Sequence, residues 1–358
     1  MQAKILIAGA GPAGLTLALE LARQGIKADI IDKKAGPSTL SRAVGILPIT
    51  MKLLEACGAS AKLMQESITI ENAVFYKYAR KIIKLAVDQD ESPQERLFSL
   101  AQNHTETILS ELLAEHGINV QYGSEMTAVE QNPEQVQVTV NGESRTYDYL
   151  VGADGVRSPT RKMTGIEFPG FDLDEIWSIA DIYTDNERYS KDFNIHLNKD
   201  GKLALVVPLE SHRVRVVSNT GDVLDHLPDS LRITEVKHSG TFKIGVRQAS
   251  EYQRGRVFLV GDAAHCHSPV GGRGMNLSIA DAVDLAQRFV EGGLEDYHRV
   301  RYPIGAQLIA DTERARKTIL SPNRITRNLA LLVLKIVSII PPLNKLFLKK
   351  VLLAANTV

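Results

Sequence analysis

The chain has 358 residues, of which 44% are hydrophobic and 23% are charged, and its formal net charge is zero at pH 7. This length predicts two or three domains with their own cores, and the balanced charge argues against a nucleic-acid partner. The two cysteines, Cys57 and Cys266, have neither disulfide-framework nor metal-type spacing, which suits a reducing compartment. We therefore expect a cytoplasmic protein.

The first 32 residues predict a β-strand, a helix and a second strand. Residues 4–8 form a short apolar run typical of a buried parallel strand, residues 13–24 have helical periodicity, and residues 27–32 form a strand that ends in an acid. The run 5–22 is largely apolar, but its regularly spaced glycines favour folded structure over an export signal.

The rest of the chain alternates between helical and β-rich segments. Helices are predicted over 43–66, 105–116, 277–290 and from 297 to the end, where Ser321-Pro322 and Pro341-Pro342 interrupt the pattern. Strands are predicted over 67–90, 120–140, 166–250 and 256–261. The β-rich segments interrupt the helical ones, so we expect domains that are discontinuous in sequence.

Gly9, Gly11 and Gly14 have the spacing of a dinucleotide fingerprint at the predicted strand–helix turn. Such glycines allow a tight turn, a close approach of the backbone to a pyrophosphate, and close helix–strand packing. The helix N-terminus adds free N–H groups, and Asp32 is placed to accept hydrogen bonds from a ribose. The alternative is a glycine-rich turn of another α/β protein, and NAD and FAD are not distinguished at this point.

Five segments decide between them: GAGPAG (9–14), SRAVGI (41–46), SLAQNHTETIL (99–109), GADGVRS (152–158) and GDAAHCHSPVGGRGMN (261–276). Together they resemble the FAD-dependent aromatic hydroxylases of the para-hydroxybenzoate hydroxylase type, which are single-component flavoprotein monooxygenases. The likeness spans residues 4 to about 300, and the last segment is the most diagnostic.

The resemblance implies an α/β fold. We expect a Rossmann-like FAD-binding domain of the GR2 type with a parallel sheet, an interleaved β-rich substrate domain, and C-terminal helices. The predicted boundaries are 1–70, 98–165 and 251–295 for the FAD-binding domain, 71–97 and 166–250 for the substrate domain, and 296–358 for the helical region.

The resemblance also implies which residues bind FAD: Gly9, Gly11, Pro12, Ala13, Gly14, Asp32, Lys33, Arg42, Gln102, Asp154, Gly155, Gly261, Asp262, Pro269, Gly272, Gly274, Met275 and Asn276. Asp262 would hold ribityl hydroxyls at the end of a buried strand, and Pro269 would lie beside the flavin. Asn276 would open a helix whose positive end faces the flavin pyrimidine ring. Arg273 replaces a residue that is commonly neutral; it would either favour reduced flavin or point to solvent.

No metal site and no catalytic side chain is assigned. His265 and His267 flank Cys266, but alternate loop residues point apart, which favours ordinary loop histidines over metal ligands. The resemblance implies that NADPH or NADH reduces the flavin and that a C4a-hydroperoxide oxygenates a small aromatic or polyketide-like molecule. The walls of the substrate site would be residues 193–197 and 203–209, including Pro208. His196 lies in this stretch, and a lone histidine in a strand is more often structural than catalytic.

Two alternatives to a monooxygenase stay open. The same fold serves FAD-dependent reductases of the prenyl-chain type, and a non-enzymatic binding protein would be colourless when purified. A flavin halogenase is disfavoured because Trp177, the only tryptophan, lies outside a halogenase-type segment.

The C-terminal region differs from the rest of the chain in charge. From residue 322 onward it has six basic and no acidic residues. We favour helices packed on the FAD-binding domain over a basic surface that contacts a membrane, in a monomer or homodimer.

Overall fold

The computed structural model describes residues 3–38, 42–77, 80–87, 92, 95–198, 201–228, 231–321 and 323–352. Ser41, Pro322 and residues 353–358, which belong to patterns noted above, lie outside the described residues. The α-helices are α1 Pro12–Arg23, α2 Pro48–Leu53, α3 Ala59–Glu66, α4 Gln102–Glu115, α5 Pro159–Met163, α6 Gly274–Glu291, α7 Tyr297–Ile319, α8 Arg324–Ile339 and α9 Pro341–Leu352.

The described β-strands are β1 Ile5–Ala8, β2 Ala28–Asp32, β3 Gly45–Ile46, β4 Ile68–Thr69, β5 Asn72–Lys77, β6 Arg80–Ala86, β7 Phe98–Ser99, β8 Gln121–Tyr122, β9 Met126–Gln131, β10 Val136–Val140, β11 Glu143–Tyr147, β12 Tyr149–Gly152, β13 Gly170–Asp172, β14 Trp177–Tyr183, β15 Asp192–Leu197, β16 Leu203–Glu210, β17 Arg213–Ser218, β18 Glu235–Phe242, β19 Gly245–Gln248, β20 Gln253–Arg254, β21 Val257–Leu259 and β22 His265–Cys266.

A six-stranded sheet in the order β20-β21-β12-β1-β2-β8 forms the centre of the part that is predicted to bind the nucleotide. All its strand pairs are parallel except β20–β21 at one edge. Ile5 and Ile7 pack into the core that contains α1, α4 and α6, whereas Leu6 and Ala8 pack against the sheet β9-β10-β11. Because both faces are covered, β1 is apolar at every position, as a buried parallel strand should be.

The second large sheet has seven strands in the order β18-β14-β17-β16-β15-β5-β6. Its strand pairs are antiparallel except β15–β5. The short sheet β13-β19-β22 joins this part of the chain to the segment after β21. The predicted α/β class, with a parallel sheet and an interleaved β-rich part, is confirmed; the proposed domain boundaries stay a prediction.

The predicted elements and the structure differ mainly at helix starts. The helix predicted over 105–116 begins at Gln102, and the one predicted over 277–290 begins at Gly274. Residues 43–66 contain two short helices, α2 and α3, preceded by the strand β3. Glycine and polar residues at these starts carry little helical periodicity, so the hydrophobic pattern begins later than the hydrogen-bonded helix.

The helices α7, α8 and α9 follow the nucleotide-binding part. Within the described residues, no single helix is long and apolar enough to cross a membrane. Arg324–Ile339 and Pro341–Leu348 meet the length and composition criteria only as a pair, which is bent by 112°.

Candidate functional site

One cleft of about 3250 Å³ runs between the two large sheets. All of the predicted FAD-binding residues line it except Gly14, Gly261 and Asn276. The segments around Gly9, Asp154 and Asp262, which are far apart in sequence, therefore meet at one site. The cleft continues past them to the seven-stranded sheet and to α8 and α9.

The first segment is shaped by three glycines with different surroundings. A Cβ on Gly9, whose φ is +112°, would lie 2.3 Å from the Ala153 carbonyl oxygen, and one on Gly14 would lie 1.9 Å from the Gly9 oxygen. Gly14 thus allows α1 to pack closely on β1 and does not face the cleft. Gly11, by contrast, lines the cleft and has nothing within 4 Å of its Cβ position.

Asp32 ends β2 beside this turn and is 8% exposed. Its Oδ2 accepts a hydrogen bond from the Ala10 N–H at 2.9 Å, and its Oδ1 accepts one from the Lys34 N–H at 2.9 Å. These two bonds fix the carboxylate at the cleft edge. Lys33, the next residue, also lines the cleft.

Gln102 and Arg42 also line the cleft. The Gln102 Oε1 accepts from the Ala43 N–H at 3.3 Å, and its Nε2 donates to Glu106 at 2.8 Å. Burial raises the pKa of Glu106, a cleft residue that the sequence did not single out. The Arg42 guanidinium stacks 4.9 Å from the centre of the Phe242 ring on β18, so it contacts the edge of the seven-stranded sheet.

The second segment presents Asp154 and Gly155 to the cleft. The Asp154 Oδ2 accepts from the Thr160 N–H at 2.8 Å and from its hydroxyl at 2.7 Å. Burial raises the pKa of Asp154, and these hydrogen bonds partly oppose that effect. Gly155 has a φ of +77° and nothing within 4 Å of its Cβ position, so it leaves the cleft open.

The third segment rests on a buried ionic network. The Asp281 Oδ2 accepts from the Gly261 N–H at 3.1 Å and lies 2.6 Å from the His265 Nε2, and its Oδ1 accepts from the Arg301 Nε at 2.8 Å. The side chains of His265, Asp281 and Arg301 are each about 1% exposed. This network fixes the turn after β21, which carries the next residue, Asp262, into the cleft.

Asp262 is exposed and lines the cleft. The surrounding protein partly desolvates this carboxyl and so raises its pKa, while the charges of His265 and Arg42 oppose that shift. His265 bonds to Asp281, and the Nδ1 of His267 lies 2.8 Å from the Ser268 carbonyl oxygen. Among the described residues, no group of three or more His, Cys, Asp or Glu side chains has a metal-binding arrangement.

Asn276 is fully engaged by protein and does not line the cleft. Its Oδ1 accepts from the Leu47 N–H at 2.8 Å and the Thr50 hydroxyl at 2.7 Å, and its Nδ2 donates to the carbonyls of Gly45 at 3.0 Å and Gly272 at 2.9 Å. It therefore holds two cleft-lining loops together. The family resemblance implied a cofactor contact for Asn276. Its hydrogen-bond partners around residue 45 are remote in the chain, so no local pattern indicated this linking role.

Arg273 lines the cleft at the start of α6. Burial lowers the pKa of its guanidinium, and the negative charge of Asp311 on α7 opposes that effect. The side chain thus belongs to the cleft wall on the α7 side.

The cleft wall facing the nucleotide end is one face of the seven-stranded sheet. Its apolar lining residues occupy alternate positions of their strands: Ala73, Phe75, Leu85, Ile179, Phe193, Ile195, Leu203, Leu205, Val207 and Val217. Pro208 and His196 lie on the other face. His196 stacks on Tyr76 with ring centres 4.6 Å apart, and burial together with the charge of Arg188 lowers its pKa to about 4.

These features fit FAD, the cofactor that the five sequence segments imply. Gly11, Gly155 and Gly272 all line the cleft, and at each one a Cβ would project into empty space. The backbone there is shaped to let a ligand approach closely, and the acids Asp32 and Asp262 offer acceptors to hydroxyl groups.

Comparison with known proteins agrees with this geometry. Residues 2–312 match the family described as FAD binding domain. The match covers most of the chain, so the chain belongs to this family, and FAD is its cofactor.

Two curated relatives show the range of names in the family. The 6-methylpretetramide 4-monooxygenase of Streptomyces rimosus is 30% identical over 353 residues, covering 90% of this chain and 63% of the relative. The dialkyldecalin synthase of Streptomyces rugosporus is 32% identical over 348 residues, covering 89% of this chain and 73% of the relative. The chain thus spans less than two thirds of the first of these proteins.

Among solved structures, p-nitrophenol 4-monooxygenase PnpA of Pseudomonas putida matches with a TM-score of 0.87 and 21% identity. The match covers 100% of this chain and 98% of PnpA. At this identity the likeness establishes the shared fold.

Proposed function

We propose that the chain is an NAD(P)H-dependent monooxygenase that uses FAD to insert one atom of O₂ into an aromatic, phenolic or polyketide-like small molecule. The observation that carries this proposal is the single cleft that joins the nucleotide end, at Gly11 and Asp262, to the apolar sheet wall. A cofactor held at one end would have its reactive ring beside a substrate on the other. The monooxygenase relative supports the reaction class.

Bound FAD would supply electron transfer and the reaction with O₂. The chain's own residues would hold and orient it. The Gly11 turn and the start of α1 would bind the pyrophosphate, Asp32 the ribose hydroxyls, and Asp262 the ribityl chain.

The sheet wall would hold the substrate and exclude water. Its lining side chains on β15 and β16, such as Phe193, Ile195 and Leu205, are apolar. Exclusion of water protects reactive intermediates from hydrolysis and side reactions. Specificity for aromatic over small polar molecules would then come from buried apolar area.

The experiment isolates oxygen transfer, because the synthase relative carries a different activity in its name. Purified protein loaded with FAD is mixed without oxygen with NADPH or NADH and a set of phenolic and polycyclic compounds. Stimulated loss of the yellow colour identifies a substrate, and ¹⁸O₂ then reveals whether one labelled atom enters the product.

The expected result is substrate-stimulated reduction followed by ¹⁸O in the product. Failure to bind FAD would remove the proposal entirely. Reduction without labelled product or substrate-dependent O₂ uptake would instead favour a reductase or dehydrogenase on the same fold.

A further inference from the structure

The most exposed apolar surface of the described chain lies on its last two helices. Nine large apolar side chains there are at least 41% exposed: Ile325, Leu329, Leu332, Val333, Ile336, Ile339, Ile340, Leu343 and Leu346. We call this set the α8–α9 stripe. The other described large apolar side chains with such exposure, such as Phe171, Ile233 and Val290, lie scattered over the rest of the molecule. A contiguous exposed stripe marks an interaction surface.

The stripe residues that belong to α8 share one side of that helix. Ile325, Leu329, Leu332 and Ile336 follow one another at intervals of three and four residues, which places them on one helical face. The helix contacts the edge strand β6 and the helices α7 and α9, and Arg327 is its only buried described side chain. The apolar face of α8 is therefore not needed for packing within the chain.

Positive charge borders the stripe. Arg324, Lys335 and Lys345 are exposed, and residues 322–358 contain no acid. The neighbouring strand β6 adds the exposed side chains Arg80, Lys81 and Lys84. Long basic side chains beside an apolar helix face can place their stems along an apolar layer and their charges at lipid phosphates.

The cleft opens at the same surface. Leu329, Val333 and Leu346 of the stripe also line the cleft, together with Ala330 and Leu334 on α8. The stripe and the sheet wall therefore line the same cleft.

We propose that the α8–α9 stripe docks on an anionic lipid bilayer and that the cleft takes a lipophilic substrate from it. The second half of this statement rests on the proposed function. A bilayer accommodates both the apolar side chains and the flanking cations. A second copy of the chain would bring basic residues of the same sign together, which opposes pairing. The 112° bend between α8 and α9 allows both helices to lie along one plane.

Co-sedimentation of the FAD-loaded protein with vesicles tests the docking. We expect binding to phosphatidylcholine vesicles that contain phosphatidylglycerol, weaker binding to phosphatidylcholine alone, and a loss of binding at high salt. The triple variant Leu332→Asn, Ile336→Asn, Ile339→Asn removes apolar area without touching the cleft lining and should lower the partition coefficient by at least about tenfold.

Matched variants separate the stripe from general effects of surface change. Ile233→Asn, Val236→Asn, Val290→Asn replaces three exposed apolar side chains elsewhere and should bind vesicles like the wild type. Arg324→Gln and Lys335→Gln should each weaken binding to anionic vesicles by about fivefold.

Three outcomes would overturn the docking. They are no binding to anionic vesicles, equal losses in the stripe variant and its matched control, or light scattering that shows a dimer which the stripe variant converts to a monomer without any vesicle binding. The last would assign the stripe to a second copy.

A phenol with a long alkyl chain, dissolved in the vesicles, tests substrate entry. The stripe variant should slow its stimulation of flavin reduction and leave that by a water-soluble phenol unchanged; equal rates for both would overturn entry from the bilayer. Vesicle binding without any labelled product would remove the proposed function and leave the docking intact.

Discussion

The two ends of the cleft are formed by different parts of the protein, backbone turns at one end and side chains at the other. The nucleotide end consists of backbone turns fixed by a few buried polar groups, such as Asp32 and Asp281. The substrate end consists of many apolar side chains on one face of a sheet, such as Phe193 and Leu205. A single change at the nucleotide end should therefore cost stability or cofactor affinity, whereas a change in the wall should mainly alter substrate recognition.

The largest effect is expected at Asp281. Asp281→Asn leaves the buried Arg301 without its counter-charge, and breaking such a pair costs about 3–5 kcal/mol. Burial would raise the pKa of Asp281, but Arg301 and His265 together lower it. Its stabilisation is therefore complete above the carboxyl pKa of the unfolded chain, about 4, and is lost as the pH falls through the lower folded-state value.

Denaturant unfolding at pH 7 and at lower pH measures this difference, which should narrow below about pH 4. Asp284→Asn is the control, because Asp284 pairs with Arg288 on the half-exposed side of the same helix and should matter by less than about 1 kcal/mol. If Asp281→Asn does not fold, His265→Gln replaces it as the test variant. It removes one hydrogen-bond partner of Asp281 and keeps the Asp281–Arg301 pair. Equal losses in the Asp281 and Asp284 variants would contradict the network.

The second prediction concerns His196, on the face of the seven-stranded sheet that points away from the cleft. Burial lowers the pKa of His196 to about 4, below the value near 6.5 of an unfolded histidine. The unfolded chain therefore binds this proton first as the pH falls, and stability is lost between about pH 6.5 and pH 4. His196→Phe keeps the stacking on Tyr76 and should remove this loss, so its stability relative to the wild type should rise by up to about 3 kcal/mol over that interval.

Urea unfolding at pH 7 and pH 4.5 measures the change. FAD affinity and substrate-stimulated reduction should be unchanged at pH 7, because His196 faces away from the cleft. A strong loss of either at pH 7 would show that this face of the sheet does influence the site, which would weaken the distinction between its two sides.

The third prediction separates two glycines of the same turn. Gly14→Ala places a Cβ 1.9 Å from the Gly9 oxygen and should destabilise the protein by about 1–3 kcal/mol. Gly11→Ala meets nothing within 4 Å and should leave the melting temperature of the FAD-free protein unchanged while it weakens FAD binding. Gly221→Ala, at an equally open surface glycine, is the control for both measurements. Loss of stability in Gly11→Ala would contradict the assignment of Gly11 to the ligand.

The same contrast explains what the sequence predicted. The strand–turn–helix around Gly11 and the acid at Asp32 are local patterns, and the structure forms them as predicted. The family resemblance implied only a cofactor contact for Asn276. Its linking role was not predicted, because its hydrogen bonds to residues 45–50 join segments more than 200 residues apart. The Asp281 network was missed for the same reason, since nothing in the local pattern pairs Asp281 with Arg301.

The sequence predicted which strands would form the substrate wall, but not which of their side chains would line it. Residues 193–197 and 203–209 were predicted as walls, but the sequence did not indicate which face of these strands would line the cleft. Pro208, predicted as part of the wall, lies on the other side with His196. The pleat of each strand decides which side chains face the cleft. The register between strands that are remote in sequence cannot be predicted from periodicity alone.

The smallest effect, and the most specific, is expected in that wall. Ile195 lines the cleft, whereas Val206 is completely buried on the opposite face of the same sheet. Ile195→Ala should raise the substrate concentration needed for stimulated flavin reduction roughly tenfold, with little change in stability, because it removes contact area from the ligand. Val206→Ala should leave that substrate concentration nearly unchanged and cost about 0.5–2 kcal/mol of stability, because it opens a cavity in the core. Stopped-flow reduction and thermal unfolding of both variants give the answer. If each variant changed both quantities alike, the sheet would not divide into a substrate-facing side and a structural side.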